Sequence, residues 1–185
     1  MDAPSPVRRQ LWILRHAEAV PGSPPGGRDR DRPLTGKGRG DAAALGARLA
    51  AGRPVLGTPG LVLPTTALCS AARRTLQTAE AVLGPLGGSV RPEPYRSLYS
   101  AEPETVLAYV REVDGDPVSV LVVGHNPTVS HLAFDLQADG SPGRVRLGSQ
   151  GLAPCSLAVV ELDVPTWEDT ADGCGTLLAL FRPPY

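Results

Sequence analysis

Leu11-Trp12-Ile13-Leu14-Arg15-His16-Ala17-Glu18 is the stretch that decides how the rest of the chain is read. Four consecutive bulky apolar side chains leave no polar face, so the run reads as a short strand covered on both sides. It stops abruptly at a cation and an imidazole. In an open α/β sheet, ligands bind outside the carboxyl ends of the strands. An imidazole beside a guanidinium, both held on rigid backbone, suits attack on a phosphoryl group or its retention.

The same junction recurs twice. Leu61 to Cys69 reads as a second buried strand, its start blurred by Pro64, running into Ser70 and then a helix from Ala72 to about Leu86 that opens on Arg73 and Arg74. Val118 to Val123 is the clearest strand of the chain and stops at Gly124-His125-Asn126-Pro127. Pro21 to Gly27 must be loop, because its prolines and glycines fit neither helix nor strand. Thr35 is placed to cap a helix running to about Gly52, with Ala42, Leu45 and Leu49 on one face. Val90 to Tyr95 reads as a short extended segment, and Thr105 to Val113 and Thr128 to Leu136 as helices. Ser156 to Leu162 and Thr176 to Phe181 read as late strands either side of a Trp167 loop. Strands alternating with helices predict an α/β fold, a three-layer α/β/α sandwich around a mostly parallel central sheet. The 185 residues read as a single domain with residues 1–9 as a flexible N-terminal lead.

Composition narrows the function classes. A hydrophobic content of 42% and a charged content of 20% are ordinary for a globular protein. A net charge of -1 and an aromatic content of 4% give no electrostatic or stacking reason to expect nucleic acid. No apolar stretch approaches the roughly 20 residues a membrane-spanning helix needs. The first residues, Met1 to Gln10, lack the apolar core of a signal peptide. The cytoplasm is therefore the expected compartment, and no membrane partner is expected. Cys69, Cys155 and Cys174 are odd in number and show no CxxC spacing, so neither a disulfide framework nor a zinc site is expected.

If the three strands are parallel neighbours, their carboxyl ends open on one edge, and two histidines and two arginines face one pocket. That set has a chemical logic. A neutral imidazole can attack phosphorus and form a phosphohistidine that water later hydrolyses. Guanidinium forks match phosphate oxygens and keep their charge at any working pH. A second imidazole, with a pKa near neutrality, can donate a hydrogen bond as charge builds on the oxygens. With this set no metal and no cofactor is required.

Four motifs stand in order: Leu-Arg-His-Ala-Glu at 14–18, Arg-Pro-Leu-Thr-x-x-Gly at 32–38, Ser-x-x-x-Arg-x-x-Gln-Thr-Ala at 70–79, and Val-Gly-His-Asn-Pro at 123–127. Together they resemble the histidine phosphatase superfamily, the phosphoglycerate mutase-like fold, and look most like its small SixA-type branch of protein phosphohistidine phosphatases. The late Trp167 and the short Gly-rich tail are similar to that branch too, and the resemblance extends from about Gln10 to Pro183. It implies His16 as the phosphorylated nucleophile, with Arg15 beside it on the phosphate. Arg74 matches the second arginine, four residues after Ser70 and three before Gln77, and His125 matches the second histidine. Arg32 is expected to flank the pocket, and Arg73, outside that spacing, to face solvent or a neighbouring acid.

Ser70 and Thr35 are further candidates for binding substrate, although Ser70 equally suits a tight turn and Thr35 a helix cap. His131, one turn into its helix, reads as structural. Mutases and many phosphatases of the superfamily carry an acid that protonates the leaving oxygen. The corresponding region here, Leu98 to Glu104, offers only Glu102 and Glu104, neither in a matching context. A phosphohistidine leaving group needs less help, because its P–N bond is labile. The expectation is a metal-independent phosphatase acting on a phosphorylated protein. The alternatives are a phosphomonoesterase for a small phosphorylated substrate and a non-catalytic phosphate-binding regulatory module. Little chain between Thr78 and Val118 is left for a lid, which favours the protein substrate.

Overall fold

β1 (Arg9–Arg15) lies inside a six-stranded sheet, and that position explains why its apolar run has no polar face. In the computed structural model, which describes residues 8–52, 60–87 and 90–185, the sheet is completed by β2 (Thr66–Ser70), β3 (Pro92–Tyr95), β4 (Ser119–Gly124), β5 (Leu157–Leu162) and β6 (Gly175–Phe181). The strand order is β3-β2-β4-β1-β5-β6. The first four pair in parallel, while β5 is antiparallel to both β1 and β6. Only β5 therefore runs against the others.

Among the described residues, five α-helices cover the sheet: α1 (Gly36–Ala50), α2 (Arg73–Leu83), α3 (Pro103–Arg111), α4 (Thr128–Asp135) and α5 (Pro142–Gln150). Successive strand side chains alternate between faces. Leu11 and Ile13 of β1, Val120 and Val122 of β4, and Ala158 and Val160 of β5 join Val110, Leu132 and Leu147 in one core. Trp12, Leu14, Leu121, Val123, Leu157 and Val159 join Ala42, Leu45, Ala79 and Val82 in the other. Helices α3, α4 and α5 thus pack on one face and α1 and α2 on the opposite one. Each fully buried Leu or Ile stabilises the fold by roughly 1.5–3 kcal/mol, so both faces of β1 must be apolar. The fold is the three-layer α/β/α sandwich with a mostly parallel sheet.

The differences from expectation have local causes. β2 starts at Thr66 rather than Leu61, because Pro64 lacks the N–H a ladder requires. The expected flexible lead of residues 1–9 is corrected at its end: Arg9 is a buried strand residue whose guanidinium pairs with Asp116 at 2.5 Å, and residues 1–7 lie outside the described ones. Helix α3 begins at Pro103 rather than Thr105, since proline in a first turn gives up an N–H that has no helical partner. Helix α5 was not expected. Ser141 caps it through the Arg144 N–H at 3.1 Å, but Leu147 is its one buried residue, so no apolar period announces it. Among the described residues, no helix is long and apolar enough to cross a membrane.

Candidate active site

Adjacency of β2, β4 and β1 brings Ser70, Gly124 and Arg15, their last residues, to one edge of the sheet. In register, Arg15 stands opposite Gly124 and Cys69 opposite Val123. The backbone of His16 is fixed on both sides: its N–H donates to the Gly124 carbonyl at 3.1 Å, and its carbonyl accepts from the Cys155 N–H at 3.1 Å. One residue on, the Ala17 N–H donates to Thr78 Oγ1 at 3.0 Å, and that hydroxyl donates to the Arg74 carbonyl at 2.7 Å. The end of β1 is thereby tied to the first turns of α2, which carry Arg74.

The two imidazoles are 5.1 Å apart between centroids, with an interplanar angle of 61°. His16 Nδ1 lies 2.7 Å from the Ala17 carbonyl oxygen. A carbonyl only accepts, so Nδ1 carries the proton and Nε2 is left with its lone pair. Burial pushes the His16 pKa down to about 4, opposed by the Ala17 carbonyl and reinforced by the charges of Arg74, Arg15 and Arg32. His125 makes contacts through both nitrogens. Arg74 donates to Nδ1 at 3.3 Å, and Nε2 lies 2.8 Å from Ser70 Oγ. A guanidinium only donates, so the His125 proton sits on Nε2 and is directed at Ser70. Burial, then His16 and Arg74, push the His125 pKa down to about 3. The expected pKa near neutrality for the second imidazole is therefore corrected: desolvation and neighbouring cations hold it neutral.

Arg74 is buried, and its fork faces an anion belonging to the chain itself. One terminal nitrogen donates to the Asp29 carbonyl at 2.9 Å, and the other to Asp29 Oδ2 at 3.1 Å. The Tyr99 hydroxyl donates to the same Oδ2 at 2.5 Å, and Arg32 donates to Oδ1 at 2.8 Å. The Tyr99 hydroxyl first, then Arg32 and Arg74, hold the Asp29 carboxyl far below the usual carboxylate range. The Tyr99 ring stands edge-on to His125 at 5.5 Å, with the Arg74 guanidinium carbon 5.7 Å from its centre. Arg15 donates to the Leu152 carbonyl at 2.8 Å, and its Nε is buried without a partner among the described residues. Desolvation lowers the Arg15 pKa.

The structure thus brings His16, His125 and Arg74 together at one strand edge, and the Arg15 charge acts on both imidazoles. Ser70, fully buried, touches His125. Arg32 is turned to Asp29 and to the Val20 carbonyl, which it reaches at 2.6 Å. Thr35 caps α1 by accepting the Gly38 N–H at 2.9 Å and donates to the Glu18 carboxylate at 2.8 Å, which accounts for its hydroxyl. Arg73 is exposed, and so is His131. Glu104 pairs with Arg111 at 2.7 Å, and Glu102 holds the N-cap position of α3. Asp29 and Tyr99 are the residues the sequence did not single out. Asp29 sits in an alternating Arg-Asp run that reads as a solvated loop, and Tyr99 carries no motif. Among the described residues, no group of three or more His, Cys, Asp or Glu is placed to hold a metal ion.

Comparison with known proteins agrees with this geometry. The sequence pattern of the histidine phosphatase superfamily (branch 1) matches residues 11–96. The Mycobacterium tuberculosis protein Rv1276c is 32% identical over 171 residues, 92% of this chain and 99% of its own length. Among solved structures, a protein from Nakamurella multipartitia assigned as the phosphohistidine phosphatase SixA superposes with a TM-score of 0.78 at 29% identity, over 96% of this chain and 98% of that one. The protein histidine phosphatase SixA in complex with tungstate superposes with a TM-score of 0.72 at 26% identity, over 94% and 97%.

Proposed function

The chain belongs to the histidine phosphatase superfamily, in its SixA-type branch, and on that premise we propose that it dephosphorylates phosphohistidine on proteins through a covalent intermediate on His16. The observation that carries this reading is the state of His16: neutral, with its one proton committed to the Ala17 carbonyl and its Nε2 lone pair unengaged among the described residues. Nε2 attacks phosphorus, the substrate's P–N bond breaks, and the electron pair leaves with the substrate imidazole, which takes a proton from solvent. Water then attacks the phosphoryl group on His16, loses a proton, and releases inorganic phosphate while the bonding pair returns to Nε2.

Arg15 and Arg74 supply the donors for the phosphoryl oxygens, Arg74 exchanging Asp29 and the His125 lone pair for the incoming anion. The same arrival changes His125. An oxyanion beside it favours the protonated ring, so His125 takes up a proton and donates it into a hydrogen bond as charge builds. Asp29 does not serve as the proton donor to the leaving group, because the Tyr99 hydroxyl and Arg32 keep it ionised when Arg74 turns to the phosphoryl oxygens. An imidazole, a better leaving group than an alkoxide, matches a site whose carboxylate is locked in the charged form.

The test is acid or base quenching during turnover of a ³²P-phosphohistidine peptide. Labelled protein that is acid-labile and base-stable, present in the wild type and missing in His16→Ala, is the expected result. Hydrolysis of small phosphomonoesters with no turnover of phosphohistidine peptides would replace the protein substrate by a small one. Full turnover by His16→Ala would remove the intermediate.

A further inference from the structure

A groove of about 540 Å³ adjoins the site and is lined in part by the immediate chain neighbours of site residues. Ala71, Ala72 and Arg73, between Ser70 and Arg74, line it; so do Arg30 and Asp31, directly after Asp29, and the Tyr99 ring. Tyr99 stands between the two spaces, since it also lies edge-on to His125. We propose that this groove binds an acidic residue flanking the phosphohistidine of the substrate protein, an inference that rests on the reading given under Proposed function.

Charge is the first reason. Arg30, Arg73 and Arg96, from three separate segments, all line the groove, and none has a side-chain hydrogen bond or ion pair within 4 Å among the described residues. By contrast, Arg32, Arg74, Arg111 and Arg144 are all paired with a carboxylate. Two carboxylates also line the groove. Asp31 is committed to the Arg28 N–H at 2.8 Å, and Glu80 lies on the exposed side of α2. Three guanidinium groups against two carboxylates leave an excess of positive charge beside a site that already holds Arg15 and Arg74. The groove lining thus carries one more cation than anion, which favours a negatively charged side chain of a bound polypeptide.

The second reason is shape. Arg30, Arg73, Glu80, Pro94 and Arg96 are exposed, so the groove is a surface furrow, with Leu76, Pro94 and the Tyr99 ring as apolar wall. A polypeptide laid across the phosphate site can place one side chain on that wall and direct a carboxylate to the arginines. A small ligand there would remain largely in solvent.

The experiment compares phosphohistidine peptides carrying Asp, Asn or Lys at the residues next to the phosphohistidine, with kcat/KM measured at low and at 0.5 M salt. The Asp peptide is expected to exceed the Asn peptide by about fivefold at low salt, chiefly through KM, and to lose that margin at high salt. Arg73→Gln and Arg96→Gln, both exposed and outside the catalytic machinery, are expected to bring the Asp peptide down to the Asn peptide while leaving the Asn peptide unchanged. Equal kcat/KM for Asp and Asn peptides, or a preference that survives the double variant, overturns the groove assignment and leaves the phosphohistidine activity standing. Preference for a small phosphorylated compound with a second anionic group over every peptide overturns the polypeptide occupant. Absence of turnover with all phosphohistidine peptides overturns the underlying activity, and the groove assignment with it.

Discussion

Lowering the pH from 7 to 5 should cost this protein stability chiefly through two side chains that it keeps neutral. Burial, the largest cause in each case, pushes His16 down to about 4 and His125 down to about 3. In the unfolded chain both titrate near 6.5. A base whose folded pKa is lowered prefers to bind its proton in the unfolded chain. Its contribution is therefore complete above about 6.5 and is lost as the pH falls toward the folded value. At pH 5 an unfolded histidine is about 97% protonated, whereas a folded one with a pKa of about 4 is about 10% protonated. Integrated from pH 7, that difference is worth about 2 kcal/mol for each histidine. Asp29, held low by Tyr99 and the two arginines, adds to the loss only once the pH falls below the ordinary carboxylate value of about 4. Urea unfolding at pH 7 and pH 5, on wild type and His125→Asn, measures the effect. The variant should lose about 2 kcal/mol less than the wild type between the two pH values. An equal loss in both proteins would mean that His125 is not held neutral by its surroundings. The electrostatic description of the site would then be wrong.

Three further expectations follow from individual contacts. Asp29→Asn removes the internal anion that competes for Arg74, so inhibition by inorganic phosphate should tighten by about threefold or more; weaker inhibition would show that Asp29 orients Arg74 rather than competing for it. Glu102→Gln and Glu104→Gln should leave phosphohistidine turnover within about twofold of wild type, since Glu104 pairs with Arg111 and Glu102 stands at the N-cap position of α3 with no side-chain capping bond; a tenfold loss in kcat would restore one of them as proton donor. Thr35→Ala should lower unfolding stability by about 1 kcal/mol through the lost cap and leave KM unchanged, whereas a raised KM would make Thr35 a phosphate ligand.

What could be read from the sequence was whatever burial alone dictates. β1 and β4 are central and covered on both faces, so their apolar runs were unambiguous and their polar ends stood out. Arg74 was separable from Arg73 by spacing, and the structure gives the reason: α2 opens with Arg73 exposed and Arg74 buried against the site. α5 was not legible, because one buried leucine makes no periodic pattern. Asp29 was hidden by company, since the run Arg28-Asp29-Arg30-Asp31-Arg32 does not say which charge turns inward. Only the fold, by bringing Arg74 and Tyr99 within 3.1 Å and 2.5 Å of one carboxylate, makes the choice. The depressed His125 pKa was invisible for a similar reason, as desolvation belongs to the environment and not to the residue.

The Arg-Pro-Leu-Thr-x-x-Gly segment also has a structural part, beside the pocket-flanking position that its resemblance implies for Arg32. Backbone contacts bind the segment to the chain just after His16. Leu34 bridges Ala19, the Thr35 N–H donates to the Glu18 carbonyl at 2.9 Å, and the Val20 N–H donates to the Pro33 carbonyl at 2.9 Å. A Cβ at Gly38 would run into the Glu18 backbone, so only glycine permits this approach. From the other side, the Leu34 N–H donates to Gln77 Oε1 at 2.9 Å, which attaches the segment to α2. The segment that follows the Asp29 turn is thus fixed at once to the chain two to four residues after His16 and to the helix of Arg74. Positional error between His16 and Arg74 is suppressed because the segment following the internal carboxylate is braced near the first and against the helix of the second. If His16 and Arg74 act as proposed, a misplacement of about 1 Å between them can cost about a hundredfold in rate. On that proposal the motif acts on catalysis through geometry, and its substitutions should disturb the placement of Arg74 before they disturb any direct contact with phosphate.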